Sequence, residues 1–408
     1  MIHVGMAHGT HSARVGQDAA EQIVRHLSGK ARFSWALVFC GGRLKPAEVL
    51  DGIRATLGDI DIYGGATTGI ITRDYLGYSG YQCGIMAFQE PMPKPLVAKS
   101  QSMAADELIA GQELAKVVRA KAHASDTVLL FYDNLKSSNP SQLYLTSRLL
   151  QGFHAELQRN DLHIIGAGLL GDFTFYPSFI FNGSQVVKHA AVALILPGQL
   201  MKAHTTIMHG CIPVSSFYEI TKIDGPVLHE LSGRPALEVI ANDLAIDIRK
   251  LIRMTRTISL TIGKKYGDPY APFDENMYIN RLVVDSDPEN GSLTLFEDDF
   301  KVGDRVQIMS QDNTNMLNSV QRGTKDLLNS IETMGLNVKF AFYINCTGRA
   351  GSISGSPQEE ASLVAAHFDS HVPFLGFYSG VEITTLLGRC RALDWTGLLT
   401  VFTDASIS

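Results

Sequence analysis

Two short segments hold the residues best suited to chemistry. Phe39 to Arg43 reads FCGGR and Asn345 to Arg349 reads NCTGR, each at the end of an apolar run with an arginine three residues after the cysteine. A nucleophilic cysteine needs its pKa lowered by a cation, a helix N-terminus or a histidine base. Arg43 and Arg349 could supply charge if their loops fold back, but no histidine follows at a fixed distance in both copies. The spacing is also not that of the longer loop that cradles a phosphate dianion. A cysteine that closes a buried strand usually serves as a small apolar residue. Cys40 and Cys346 are therefore expected to line a pocket or to pack, ahead of a nucleophilic or redox role. Guanidinium groups bind carboxylates through a planar fork. Arg349, on a loop after a strand, is placed to face a crevice of the kind where ligands bind. An ion pair with Glu359 or Glu360 is the alternative.

Three glycine-rich turns offer further groups: GGATTG (64–69), GAGLLG (166–171) and GFYSG (376–380). They are not dinucleotide fingerprints, because a helix would have to follow and β-like sequence follows instead. Their glycines, Gly376 among them, suit positive φ or close backbone approach. Thr67, Thr68, Tyr378 and Ser379 place hydroxyls at that surface, and Glu382 and Asp172 just beyond could fix an ammonium group. With Arg349, such a carboxylate would suit a zwitterion; turn chemistry alone is the competing reading. His3, His8 and His11 cluster near the N-terminus without a fourth ligand, so a loose chain start is expected there and no metal. Asp285 to Gly291 resembles a calcium loop, but its glycine falls one place late and Phe296 occupies position twelve, which makes it a hairpin turn. No cofactor and no Ser-His-Asp set can be nominated.

These residues must be positioned by a fold, and the chain reads as a repeat. Three units each run strand, loop, helix, strand and glycine-rich turn: ALVFCGGR to IYGGATTGII, TVLLFYDNLK to IIGAGLLGDF, and FAFYINCTGR to FLGFYSGVEI. Pro46, Pro140 and Pro357 are each expected to open a helix, with Asn139 and Ser356 as N-caps and Glu359 completing a capping box. Strands should follow each turn, including one through FTFYPSF, with a hairpin at Asn182-Gly183. Between the second and third units lies a β-rich insert with a hairpin at Asn290-Gly291, then a long helix near Met316 to Met334. The expected fold is α/β (α+β), with repeated strand-helix-strand units, mixed sheets covered by helices and two closely packed domains, 1–212 and 213–408.

Composition bounds the function. At 408 residues, with 45% hydrophobic and 19% charged residues, the chain is a globular protein of more than one domain. A net charge of −6 without a basic stripe argues against nucleic acid as a partner. Five widely spaced cysteines without CxxC suit a reducing cytoplasm. No signal peptide and no apolar run of about 20 residues is visible, so no membrane insertion is expected.

ALVFCGGR, EVLDGIRATLG, the IYGGATTGII turn, ITKIDGPVLHELSGRPALEV, AFYINCTGRAG and PFLGFYSGVEI together resemble the FIST family, with paired FIST-N and FIST-C domains, over Ser34 to Phe402. The resemblance implies a sensory module of signal transduction that binds a small polar ligand, an amino acid or derivative, and relays to a protein partner; it implies no known reaction. Two departures stand out. Gly380 and Val381 precede Glu382 where the family usually has glycine immediately before the acid, and Ile70 stands where many members are acidic. The resulting expectation is a non-enzymatic cytoplasmic sensor with ligand contacts from Cys40, Arg43, Thr67, Thr68, Cys346, Arg349, Gly376, Tyr378, Ser379 and Glu382. An enzyme with a cysteine nucleophile and a ligand-free interaction scaffold are the rivals.

Overall fold

The computed structural model describes every residue except 26, 28–30, 175–177, 257–258 and 406–408. Its first unit contains β1 (Ile2–His8), α1 (Ser12–Val24), β2 (Phe33–Gly41), α2 (Pro46–Leu57), β3 (Asp61–Thr67), β4 (Ile70–Thr72), β5 (Leu76–Gly77) and β6 (Gln82–Gln89). The second contains β7 (Leu96–Ser100), α3 (Glu107–Lys121), β8 (Thr127–Asp133), β9 (Leu135–Ser138), β10 (Ser141–Leu143), α4 (Thr146–Leu157), β11 (His163–Leu169), β12 (Ile180–Gly183), β13 (Val186–Val187) and β14 (Ala191–Leu196).

The third unit opens with β15 (Met201–Met208) and is then interrupted. The insert comprises β16 (Ile212–Pro213), β17 (Tyr218–Asp224), β18 (Val227–Leu231), β19 (Arg234–Pro235), α5 (Ala236–Asp243), α6 (Ile248–Arg256), β20 (Thr261–Lys265), β21 (Tyr278–Asp287), β22 (Ser292–Leu295) and β23 (Arg305–Ser310). It is an antiparallel sheet that closes on itself where β20 pairs with β23, around a core of its own that includes Ile220, Leu237, Ile262 and Val283. The unit resumes with α7 (Asn313–Thr333), β24 (Val338–Cys346), α8 (Gly351–Ser354), α9 (Glu360–Ala365), β25 (Phe374–Ser379), β26 (Val381–Leu386), β27 (Arg389–Leu393) and β28 (Gly397–Asp404).

Each unit builds its sheet around one parallel pair: β2 with β3, β8 with β11, and β24 with β25. These strands are buried on both faces, which explains their unbroken apolar sequence. One face of every sheet turns to a shared core in which Phe39 stacks on Phe377 at 3.9 Å and meets Phe131 edge-on at 5.5 Å. The other face packs under helices: α1 and α2, then α3 and α4, then α7 and α9. The strand orders are β1-β6-β2-β3-β12-β13, β7-β14-β8-β11-β26-β27 and β15-β28-β24-β25-β4-β5. The order is the same three times, and in each case the last hairpin is lent by another unit. The second unit completes the first sheet, the third completes the second, and the first completes the third. The expected boundary at 212/213 falls within β16.

Several local expectations are corrected. Pro46 does open α2, and Pro235 stands at the N-cap of α5. Pro140, however, lies in the turn of the β9–β10 hairpin, and the helix starts at Thr146, so Asn139 is not its cap. Pro357 precedes α9 by three residues; Glu359 is the N-cap but makes no side-chain capping bond to the helix, and the Ser356 hydroxyl donates to the Gln358 carbonyl instead. The start of the chain is not loose: Ile2–His8 pairs along its length with β6. The hairpins after Asn182-Gly183 and at Asn290-Gly291 form as read. Within FTFYPSF, residues 175–177 lie outside the described residues.

Candidate functional site

The repeated register allows residues to be compared across units. Cys40 lies opposite Ala66 in the first parallel pair, whereas Cys346 lies opposite Ser379, the counterpart of Thr67. By strand position Cys40 therefore matches Tyr132 and Asn345, while Cys346 matches Gly41 and Asp133. The two cysteines are one residue out of step, and a one-residue step turns a side chain to the other face of a sheet. Cys40 sits with Ala36 and Val38 under the helices; Cys346 continues the inward row of Phe340, Phe342 and Ile344. All five cysteines are buried and free. Burial pushes every thiol upward, Cys83 and Cys211 to about 12, with Glu382 adding to the effect at Cys346.

Arg349 is buried, and its fork is occupied from within. Nε donates to Glu360 Oε1 at 2.8 Å, Nη2 to Glu360 Oε2, and Nη1 to the carbonyls of His209 (3.1 Å) and Trp395 (2.9 Å). It thereby ties β24 to α9, to the end of β15 and to the approach to β28. Arg43 is half exposed, 3.6 Å from the Asp172 carboxylate and 5.7 Å from the centre of the Tyr81 ring.

The glycine-rich turns meet one another. Thr67 donates to the Tyr378 carbonyl at 2.8 Å, the Tyr378 N–H donates to the Gly69 carbonyl, and the hydroxyls of Thr68 and Thr347 are 2.8 Å apart. Tyr378 is buried on the helix-covered face of its sheet, and its hydroxyl donates to Glu359. The first glycine of each turn is set by space: a Cβ on Gly64, Gly166 or Gly376 would come within 2.3, 1.9 or 2.8 Å of a carbonyl oxygen on the parallel partner.

Glu382 stands apart. It pairs with Ala167 in β11, as Ile70 pairs with Phe377 in β25 and Ile180 pairs with Gly65 in β3. These three positions are equivalent, and two of them carry isoleucine packed into the shared core. The third is a fully buried carboxyl whose Oε1 accepts from Ser379 Oγ at 2.7 Å and whose Oε2 has no hydrogen-bond partner among the described residues. Burial pushes its pKa well above the usual carboxylate range, against the lowering effects of the Ser379 hydroxyl, of Arg349 and of the Thr396 backbone N–H, which approaches the carboxyl without completing a hydrogen bond to Oε2. At the same strand ends, Asn134 Nδ2 and both side-chain polar atoms of Asn345 are also buried without partners. Such groups are scarce in folded proteins because each one left unpaired costs about 1–3 kcal/mol.

A cavity of about 250 Å³ opens at this end of the second unit, lined by Asp133, Lys136, Ser178, Lys188 and His189 among others. Asp133 accepts from the backbone N–H groups of His189 (2.7 Å) and Leu135 (3.2 Å), and burial raises its pKa. Asp133, Asn134 and Asn345 were not singled out in the sequence; a polar residue at the end of an otherwise apolar strand was the available signal.

The structure thus gathers Thr67, Thr68, Cys346, Gly376, Tyr378, Ser379 and Glu382 around the meeting turns, and leaves Cys40 under the helices and Arg43 at the surface. No group of three or more potential metal ligands occurs among the described residues, and none of their helices is long and apolar enough to cross a membrane.

An uncharacterised protein of Mycobacterium bovis is 25% identical over 232 residues, 55% of this chain and 56% of its own length. An uncharacterised protein of Methanocaldococcus jannaschii is 25% identical over 233 residues, 55% of this chain and 42% of its own length. The aligned part of the chain thus spans about half the length of these curated relatives. Among solved structures, a cyanuric acid hydrolase from A. caulinodans aligns over the whole of both chains with a TM-score of 0.35 and 7% identity. The FIST N domain matches residues 34–234 and the FIST C domain residues 236–385. The chain therefore belongs to the FIST family, whose domains are sensory.

Proposed function

We propose that this protein is a non-enzymatic cytoplasmic sensor that takes up a small polar ligand, an amino acid or a derivative, at the strand ends around Glu382. Ligand occupancy is relayed to a separate signalling protein. One observation carries the reading: a buried carboxyl with an open acceptor occupies a core position that the other two units fill with isoleucine. A core does not gain stability from such an exchange. Its use is chemical, and a ligand ammonium or amide would supply the donor that Oε2 lacks. Ser379 bonds to this carboxyl and lies opposite Cys346, Thr67 is the counterpart of Ser379, and the cavity at Asp133 opens at the end of the neighbouring strand β8.

The test replaces Glu382 by the residue of its two counterparts. Glu382→Ile should leave the unliganded chain at least as stable as the wild type by thermal melting. It should also abolish the rise in melting temperature that the wild type shows with members of a panel of amino acids and small carboxylates. A variant that melts lower and still responds to the same compound would remove Glu382 from the site.

A further inference from the structure

A second, separate place in the molecule collects positive charge without pairing it. Between α4, the β26–β27 hairpin and the inserted barrel lies a cavity of about 360 Å³, and it shares Gln151, His154, Arg389 and Arg391 with a neighbouring one of about 640 Å³. The two form one groove along α4. Lys264 in its wall is paired with Asp304 at 2.5 Å, and Arg159 at its far end with Asp161. Lys301, Arg389 and Arg391 have no carboxylate partner among the described residues. The unpaired acid facing them is Asp298, which accepts the Ser147 hydroxyl. Asp299 also lines the groove and acts on Arg391, but its carboxylate is paired with Arg281 at 2.7 Å, and the buried Asp394 lies on the other side of Arg281 at 3.3 Å.

Arg391 is the most informative member. Its guanidinium lies 4.0 Å from the centre of the Tyr266 ring, which holds the fork in place, while Nε is buried with no hydrogen-bond partner. Burial, with Arg389 and Arg281 adding to it, pulls its pKa below the ordinary arginine value. Arg391 is half-buried with an unsatisfied Nε, while Arg389 and Lys301 stand exposed at the rim; Asp298 is the one lining carboxylate outside an ion pair, and a bound anion would complete the neutralisation of the three cations. The chain as a whole carries −6, so general attraction of anions does not explain the cluster. Burial also lowers the His154 pKa, which leaves the arginines and Lys301 as the source of charge.

The geometry points to a binding site in this groove for a small dianion, a phosphate monoester or a dicarboxylate, clamped by Arg389, Arg391 and Lys301. A guanidinium fork can hold two oxygens, and three cations outside ion pairs against one unpaired lining carboxylate, Asp298, with Asp299 already taken by Arg281, match two negative charges better than one. The groove is distinct from the strand ends around Glu382 and does not depend on a ligand there.

Titration calorimetry of the full chain at low ionic strength, with inorganic phosphate, succinate and acetate as probes, tests the site. Phosphate or succinate should bind saturably, at least tenfold more tightly than acetate, and whichever binds better names the class. Arg389→Ala and Arg391→Lys should each weaken that binding tenfold or more. Arg14→Ala, a surface change on α1, should leave it within twofold. The site is refuted if no dianion saturates, if acetate binds as well, or if Arg14→Ala weakens binding as much as Arg389→Ala.

Discussion

At the scale of single residues, the two cysteine-arginine segments separate into different roles. The arginine alternatives were legible from the sequence, since Glu360 lies on the helix that follows Arg349, but choosing between them required knowing which face of that helix turns inward. The one-residue offset between Cys40 and Cys346 was not legible: matching CGGR to CTGR aligns letters, while strand register aligns positions. The raised thiol pKa values bear on the rival reading of a cysteine nucleophile. In the native chain none of the five cysteines should react appreciably with a thiol probe between pH 6 and about 9. Full labelling should appear only after unfolding. A single cysteine that labels fast near neutral pH in the native chain would restore the enzyme reading. Glu382 was visible as an acid after a glycine-rich turn; that its counterparts are Ile70 and Ile180 depended on the exchange of hairpins between sheets.

At the scale of elements, helix pairs and caps depend on partners far along the chain. Gly16 and Gly52 let α1 and α2 touch: a Cβ on either would fall 2.3 and 1.9 Å from a carbonyl oxygen of the opposite helix. Gly111 and Gly152 do the same for α3 and α4, at 2.0 and 1.9 Å. The third unit lacks such a pair among its described residues, and its α9 is a short helix of 6 residues. Helix α4 has no local cap, because its N-cap position is Leu145. The cap comes from the insert: Glu297 accepts from the N–H groups of Thr146 at 3.1 Å and Ser147 at 2.8 Å.

Burial above all pushes Glu297 up to about 7, helped by Asp394 and opposed by Arg281 and the Ser147 hydroxyl. Because the folded chain binds this proton more tightly than the unfolded one, the stability it contributes is complete below about pH 4.5 and is lost as pH rises through about 7. Denaturant melts across this range should show the wild type losing stability relative to Glu297→Gln as pH rises. Parallel curves for the two proteins would mean that Glu297 is already ionised in the acidic range.

At the scale of the molecule, the repeat could be read because each unit repeats the same punctuation: apolar run, helix, apolar pair and glycine. Which sheet a hairpin joins could not be read, since period-two alternation marks a strand's faces and not its neighbour. The exchange makes each sheet of the three-unit body incomplete without another unit. These sheets should therefore unfold in one cooperative transition, monitored by hydrogen exchange, with protection in β2, β8 and β24 lost together. The inserted barrel, with a core of its own, is free to open at a different free energy. Sequential loss of the three sheets would contradict the exchange of hairpins.

The loan of β4 and β5 to the third sheet also sets a timetable. Their partner β25 is made about 300 residues later, so at roughly 5–20 residues per second the nascent chain carries an unpaired hairpin for about 15–60 s. Residues Ile70 and Ile71, which end with no exposure in the finished protein, stay wet throughout that interval. The emerging chain thus offers a strand edge to chaperones, or to its neighbours on the same message, until its last hundred residues arrive.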